Sequence, residues 1–393
     1  MKWKMIKLGD VITFRGGGTP RKDVPEYWSD EIPWATVKDF KGLVLERTRD
    51  FISPQGLASS ASNLIPSGHV IIPTRMALGK AAINAIDLAI NQDLRALIPK
   101  VPIDTVYLLH MMLGLSDEIQ SYGSGATVKG ITQEKLSELK IPLPPIEEQK
   151  RIAAILDAAD ALRAKRRESI AQLDALLQST FLDMFGDPVT NPMGWDESAK
   201  LGELAEIVSG VTKGRKINGK STREVPYLAV SNVQDRHLLL EAVKTIEATN
   251  DEIIKYSLRF HDILLTEGGD PDKLGRGSLW HDAIPDCIHQ NHVFRVRLLS
   301  LERLIPVFLN WLIGSAKGKS YFLRSAKQTT GIASINMRQL RAFPLLIPPL
   351  SLQRRFASIV EAAERQKARL RAHLDELDAL FASLQSRAFN GEL

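Results

Sequence analysis

The chain has 393 residues, 44% of them hydrophobic and 25% charged, a balance that excludes global disorder and supplies two or three domains with cores of their own. A single cysteine, Cys287, excludes an internal disulfide and a cysteine-rich zinc site. The net charge of +5 permits a polyanionic partner. No run of about 18 apolar residues marks a membrane span, and Met1-Lys2-Trp3-Lys4 leads into folded-looking sequence without a signal-peptide core, so a cytoplasmic protein is expected.

Taken in chain order, the predicted elements occur twice. Residues 7–14 (KLGDVITF) open a strand-rich segment that reaches Gly16, Gly17 and Gly18, then Pro33-Trp34-Ala35-Thr36-Val37, Gly68-His69-Val70-Ile71-Ile72 and Ile90-Asn91-Gln92. Residues 200–207 (KLGELAEI) open a second series: Gly210 and Gly214, Pro226-Tyr227-Leu228-Ala229-Val230, His261-Asp262-Ile263-Leu264-Leu265 and Ile288-His289-Gln290. The two series close on 141–156 (IPLPPIEEQKRIAAIL) and 345–360 (LLIPPLSLQRRFASIV), which align Pro144-Pro145 with Pro348-Pro349 and Gln149 with Gln353. The opening matches sit 193 residues apart and the closing ones 204 apart, so the second copy carries small loop insertions. This ordered set of landmarks reads as a duplication of about 190 residues.

After each Pro-Pro stop the pattern predicts a long helix, at 147–184 and 351–388, because proline is tolerated where a helix begins and neither segment contains an internal proline. Leu156, Ile170 and Leu177 share one heptad row of the first helix, and Ala159 and Leu173 a second that Arg166 interrupts. In the second helix Ala363, Leu370, Leu377 and Leu384 form one row, and Val360, Lys367, Leu374 and Phe381 the other. Each helix either packs on its own globular domain or pairs with the other. One apolar seam on an otherwise charged helix favours pairing, which a short link permits only if the helices are antiparallel. A helix of this length spans roughly 50 Å. The expected domains are 1–145 and 189–349, with helical spacers at 146–188 and 350–393.

Catalytic signatures for nucleotide binding, metal-dependent hydrolysis or a serine nucleophile are missing from the sequence. Asp187-Pro188-Val189 and Asn191-Pro192-Met193 read as turn sequence after the first helix. Cys287, His289, His292 and His281 are spaced too tightly for an ordinary zinc site, and His289 aligns with Asn91, so these are expected to be strand or core residues. The basic residues carry more information. Arg15, Arg21, Lys22, Lys38, Arg75 and Lys80 lie near turns in the first half; Lys213, Arg215, Lys216, Lys220, Arg236, Lys273 and Arg276 lie in glycine-rich stretches of the second. Arg and Lys on such loops suit contacts to phosphates and base edges, and equally a solvated surface.

The order of strand-rich domain, Leu-Pro-Pro-x-x-Glu-Gln-Lys-Arg-Ile-Ala at 143–153, long helix, and the same again resembles the DNA-specificity subunit of a Type I restriction-modification system. The phrase Phe181-Leu182-Asp183-Met184-Phe185-Gly186-Asp187-Pro188 and the approach Ser124-Gly125-Ala126-Thr127 add to the resemblance; the counterpart around Thr329, Thr330 and Gly331 is looser, and Ser351-Leu352 replaces Glu147-Glu148. The resemblance implies a mixed fold of the α+β kind: two target recognition domains joined by two long antiparallel coiled-coil helices, with an internal pseudo-two-fold repeat. It implies a non-catalytic subunit that binds a bipartite site in double-stranded DNA and positions two modification subunits and restriction subunits. S-adenosylmethionine, ATP and magnesium would belong to those partners, with no cofactor, metal or membrane contact in this chain. The DNA-binding candidates are then Arg15, Arg21, Lys38, Arg75, Lys80, Lys213, Arg215, Lys216, Arg236, Lys273 and Arg276. The alternatives are a specificity subunit of a methylation-only or phage-defence complex, and a protein-interaction scaffold that binds no DNA.

Overall fold

The computed structural model describes residues 3–124, 129–217, 219, 221–270, 273–329 and 332–393. Gly125, Ala126, Thr127, Lys220, Thr330 and Gly331, singled out above, lie outside the described residues. The chain divides into two compact units, residues 1–168 with 371–393, and residues 169–370.

Unit 1 contains β1 (Met5–Lys7), β2 (Ile12–Gly16), β3 (Ile32–Ala35), β4 (Val44–Leu45), β5 (Asp50–Ile52), β6 (Leu64–Ile65), β7 (Val70–Pro73), β8 (Ala82–Asn84), β9 (Leu88–Ile90), β10 (Leu94–Pro99) and β11 (Lys140–Pro142). They form sheets of order β2-β10-β7-β8-β4 and β5-β3-β9-β6, with β1 paired to β11. Unit 2 contains β12 (Ala205–Ser209), β13 (Thr222–Leu228), β14 (Lys244–Thr249), β15 (Ile263–Thr266), β16 (Gly268–Gly269), β17 (Gly277–Leu279), β18 (Ile288–His289), β19 (Val293–Leu298), β20 (Lys327–Thr329) and β21 (Ile332–Ser334). Its sheets have the orders β12-β19-β15-β17, β14-β13-β18 and β16-β21-β20. The first two orders reproduce β2-β10-β7-β8 and β5-β3-β9, so the duplication read in the sequence is a duplication of topology.

The strand register corrects one alignment. Trp34 and Ala35 pair with Ala89 and Ile90, while Tyr227 and Leu228 pair with Ile288 and His289. His289 therefore stands where Ile90 stands, one residue off its sequence alignment with Asn91. Both positions are fully buried. The preceding loop crosses this strand so closely that a Cβ on Gly17 or Gly210 would lie 1.9 Å from the carbonyl oxygen of Ile90 or His289. That contact requires glycine at both places.

The long helices run over Ile146–Phe185 and Leu350–Asn390. The first stops at Gly186, whose φ of 74° is the left-handed conformation that closes a helix. Each unit holds one stretch of each helix, and within each unit the two stretches are antiparallel. In unit 2 Asp174 accepts from Lys367 Nζ at 2.6 Å and Phe185 meets Phe356 at 5.4 Å, so the partner number falls as the first rises. In unit 1 Arg163 bonds Asp378 at 2.6 Å and Arg151 donates to the Leu393 carbonyl at 3.0 Å. Leu156, Leu177, Val360, Leu370 and Leu377 are buried; Ile170, Leu173, Ala363, Leu374, Phe381 and Leu384 are half-buried. Lys367, the charged member of its heptad row, is 6% exposed and is held by both Asp174 and Glu364.

The cores join helix to sheet. In unit 1 Leu156 and Ala153 belong to one cluster with Val70, Leu97, Tyr107 and Ala388. In unit 2 Leu177, Phe181 and Phe185 cluster with Ile263, Val296, Phe308 and Phe356. Both possibilities left open for the helices are thus realised, packing on a globular domain and on each other.

Gln149 and Gln353, 1% and 0% exposed, tie the start of each long helix to the domain beside it. The Gln149 amide accepts from the Asp104 backbone N–H at 2.9 Å and donates to the Pro144 carbonyl at 2.9 Å. Gln353 repeats this with the Ile305 N–H at 3.0 Å and the Pro348 carbonyl at 2.8 Å. Removing such an amide strands a buried donor and a buried acceptor, at a cost of about 1–3 kcal/mol. Gln353→Leu is expected to lower the stability of unit 2 by that amount in urea denaturation, and an unchanged midpoint would refute the assignment.

The ring of His289 donates from Nδ1 to the Val293 carbonyl at 2.7 Å, and its Nε2 has no partner. Burial first, with Arg295 and Arg297 adding to it, pulls its pKa from 6.5 down to about 4. The unfolded chain takes up this proton near pH 6.5 and the folded one resists it. The stabilisation is therefore complete above pH 6.5 and lost as pH falls through 4, a difference of roughly 3 kcal/mol. His289→Ile, which installs the residue of the other half, is expected to flatten the pH dependence of stability between 6.5 and 4. An equal slope in the variant would show that another group is responsible.

Candidate nucleic-acid interface

In unit 1 a cavity of about 850 Å³ opens beside β3 and β9. Trp34, on β3, donates from its indole to the Gly18 carbonyl at 3.1 Å and meets Trp28 edge-on at 5.3 Å. Thr36 and Asp39 close the next turn reciprocally, Asp39 accepting from the Thr36 N–H at 2.8 Å and Thr36 Oγ1 from the Lys38 N–H at 3.3 Å. The turn leaves Lys38 exposed on the wall, with Lys22, Gln92 and Met76 completing the rim.

Unit 2 has a cavity of about 530 Å³ whose place in the repeat is mainly that of a hollow adjoining the first: Gly268, Gly269, His292 and Ser334 stand where Arg75, Met76, Asp93 and Gly130 line that hollow. Val230 lines it as Val37 lines the first, and Gly269 occupies the position of Met76. The chemistry differs. Glu267, Asp270 and His292 stand at the positions of Thr74, Ala77 and Asp93, and His292 Nδ1 donates to Glu267 Oε2 at 2.5 Å. The first cavity thus offers two lysines and amides beside one carboxylate, Asp50, and the second two carboxylates and an imidazole. Such groups discriminate base edges: Lys suits guanine acceptors, Gln suits adenine, and a carboxylate accepts from the cytosine amino group.

Lys38 alone among the eleven basic candidates lines either cavity. Arg75 is 3.8 Å from Asp93 in an adjoining hollow of about 450 Å³ that shares Met76 and Gln92 with the first cavity. Lys273 and Arg276 line a separate hollow of about 310 Å³ with Lys319 and His237; Lys273 is ion-paired with Asp270, and Arg276 donates to Gln234 at 2.5 Å. Lys80 and Arg276 are equivalent, each following a left-handed glycine, Gly79 or Gly275. Arg15 is exposed on β2, Arg21 pairs with Asp23 at 2.6 Å, and Lys213 and Lys216 are exposed on the loop after β12.

Two candidates are corrected as free cations. Arg215 forms a two-pronged pair with Glu252, both bonds 2.5 Å, and donates to the Glu247 carbonyl at 2.9 Å. Its hydrogen bonds pull the Glu252 carboxyl down to about 2. The Arg236 guanidinium lies 3.7 Å from the Trp311 ring centroid and donates to Gln178 at 3.3 Å. Both are held inside unit 2. Trp28, Gln92, Met76, Glu267, Asp270 and His292 were not among the candidates, because a search for clustered Arg and Lys selects by charge. The repeat was the signal that could have found most of them, since Met76, Glu267 and Asp270 follow its matched strands β7 and β15, and Gln92 and His292 follow β9 and β18. Of the cysteine and histidines, Cys287 and His289 are buried as expected, whereas His281 and His292 are exposed and in no strand; Cys287 donates to the Ile288 carbonyl at 3.5 Å, and His281 stands 5.7 Å from the Phe260 ring.

These placements separate two roles. Lys38→Ala is expected to relax one half of the DNA preference or to lower the salt slope of binding by about one, with folding unaffected. Arg215→Ala is expected to lower thermal stability with both DNA readouts intact. Binding curves across salt concentrations and melting curves check the pair, and the reverse assignment would refute it.

Two topologically equivalent units with differently furnished cavities, each bearing one stretch of two long helices, are the arrangement of a two-part recognition protein. The Type I restriction modification DNA specificity domain matches the chain twice, over residues 1–173 and 192–377, and the chain belongs to that family. It is 23% identical to the Type I restriction enzyme MjaIX specificity subunit of Methanocaldococcus jannaschii, covering 91% of this chain and 86% of that protein. It is 25% identical to the StySPI specificity subunit of Salmonella potsdam, covering 100% and 89%. The S subunit of the Type I restriction-modification system from M. genitalium has the same fold, with a TM-score of 0.56 at 14% identity over 99% of this chain and 96% of that one. Sequence-specific DNA recognition within a restriction-modification system is the function of this family, and the subunit is not itself an enzyme. No helix among the described residues is long and apolar enough to cross a membrane.

Proposed function

We propose that each unit reads one half of a bipartite site in double-stranded DNA, through the two adjoining cavities of unit 1 that share Met76 and Gln92 and through the cavity beside β16 and β21 in unit 2. The observation that carries this reading is that repeat-equivalent cavity walls carry different side chains, Arg75, Met76 and Asp93 in unit 1 and Gly268, Gly269 and His292 in unit 2. Shared topology supports one mode of docking used twice, and different side chains support two different sequences. Residues 1–145 and 189–349 serve as the target recognition domains, and 146–188 and 350–393 as the spacer. Arg15, Arg21, Lys80, Lys213 and Lys216 contribute phosphate contacts, which position without specifying.

The chain acts in the cytoplasm as the non-catalytic core of an assembly with two modification subunits, joined by restriction subunits where cleavage follows. S-adenosylmethionine, ATP and magnesium are held by those partners. The test is the methylation pattern of the assembled complex. Removing one heptad from both long helices shortens the spacer by roughly 10 Å, about three base pairs. The gap between half-sites is expected to shorten while the half-site sequences persist. Altered half-sites with an unaltered gap would overturn the spacer reading, and Lys38 and Glu267 variants that leave both half-sites unchanged would overturn the cavity reading.

A further inference from the structure

Unit 2 contains a second kind of cavity, of about 400 Å³, walled by the helix Pro306–Ile313, the long helix Leu350–Asn390 and the turn before β15. Its size is within the ordinary range for small-molecule sites, about 300–1,000 Å³. Its floor is apolar: Leu279, Val307, Trp311 and Val360 are all under 9% exposed. Asn310, 6% exposed, lines it, and its side-chain carbonyl has no hydrogen-bond partner. Phe260, 55% exposed, stands at the rim with its ring 4.0 Å from His261 and 5.7 Å from His281.

The duplication supplies an internal control. The turn before β15 needs a left-handed residue, and His261 has φ 71°. Its equivalent in unit 1 is Gly68, with φ 85° and open space where a Cβ would lie. A non-glycine residue in this conformation costs about 1–2 kcal/mol, so the scaffold itself favours glycine. Arg236, also on the cavity wall, is left-handed as well, at φ 61°. The equivalents of Asn310, Trp311 and Glu361 are Leu109, His110 and Asp157. There Leu109 carries no polar group, and His110 bonds Asp157 through Nε2 at 2.7 Å while its Nδ1 has no partner. Unit 1 therefore shows that the shared fold requires neither the buried amide nor the strained imidazole. Strain of this kind persists where a site uses it.

We propose that this cavity binds a free purine nucleoside. An amide edge is the side-chain group that pairs with the amino and ring nitrogens of adenine. Exposed aromatic rings supply a stacking face for a base. Glu361, exposed on the wall, is an acceptor for ribose hydroxyls, the part acidic residues play in nucleotide-binding folds. Glu364, its neighbour, is neutralised by Lys367 at 2.8 Å. The site is separate from the DNA-facing cavities and does not depend on the reading given them.

The test uses the full chain, with thermal-shift and calorimetric titration of adenosine, guanosine, cytidine and a short oligoriboadenylate. Adenosine is expected to raise the melting temperature and to bind at least tenfold more tightly than cytidine. Asn310→Leu and His261→Gly each install the residue of unit 1, and each is expected to weaken adenosine binding at least tenfold. Without ligand, His261→Gly should melt at the same temperature or higher, which a structural role for the imidazole would not allow. Four results would overturn the proposal: no adenosine binding at millimolar concentration, equal affinity for cytidine, wild-type affinity in both variants, or binding of the oligonucleotide without binding of adenosine.

Discussion

A buried primary amide at the start of each long helix is the constraint on which the rest of the architecture depends. A helix leaving a proline pair has backbone groups without helical partners, and a neighbouring domain helix starts with the same deficit. Gln149 and Gln353 join the two places with one side chain, donating to a carbonyl of the proline pair and accepting from the N–H of the residue just before the neighbouring helix. Water cannot substitute at positions so fully enclosed. The amide therefore fixes the angle at which helix and recognition domain leave one another, and the aromatic and aliphatic contacts in both cores build on that joint.

The repeat also separates what short stretches of sequence encode from what they do not. Pro144-Pro145, Gln149 and the heptad leucines are legible because they are set by local rules, proline at a helix start and apolar residues every seventh position. Sheet order is not legible, since it depends on pairings between distant segments. The register of β18 shows the limit: the one-residue difference between Asn91 and Ile90 as the counterpart of His289 follows from parallel pairing with β13, which the short motif does not encode. The basic candidates are obscured in another way. Sequence reports that Arg215 and Arg236 are charged, and only the fold reveals that Glu252 and Trp311 already occupy them.

Duplication has kept the scaffold and released the surfaces. Positions that determine backbone approach, such as Gly17 and Gly210, are identical in both copies because a single added carbon would collide with the next strand. Positions facing the cavities have changed charge as well as size: Arg75, Met76 and Asp93 of unit 1 stand where unit 2 has Gly268, Gly269 and His292. The contrast follows from what each residue touches. A residue pressed against backbone has one solution, and a residue facing an open cavity has many.

The division of the chain between the units has a consequence for how the protein is made. Unit 2 is continuous, residues 169–370, so all of it is translated before residues 371–393. Unit 1 is discontinuous. Ala388 belongs to its core, Phe389 packs edge-on against Tyr107 at 5.9 Å, and the Trp3 indole donates to the Ala388 carbonyl at 2.9 Å. The first domain translated is therefore the last completed, and its apolar face around Tyr107 stays uncovered until residues 371–393 emerge.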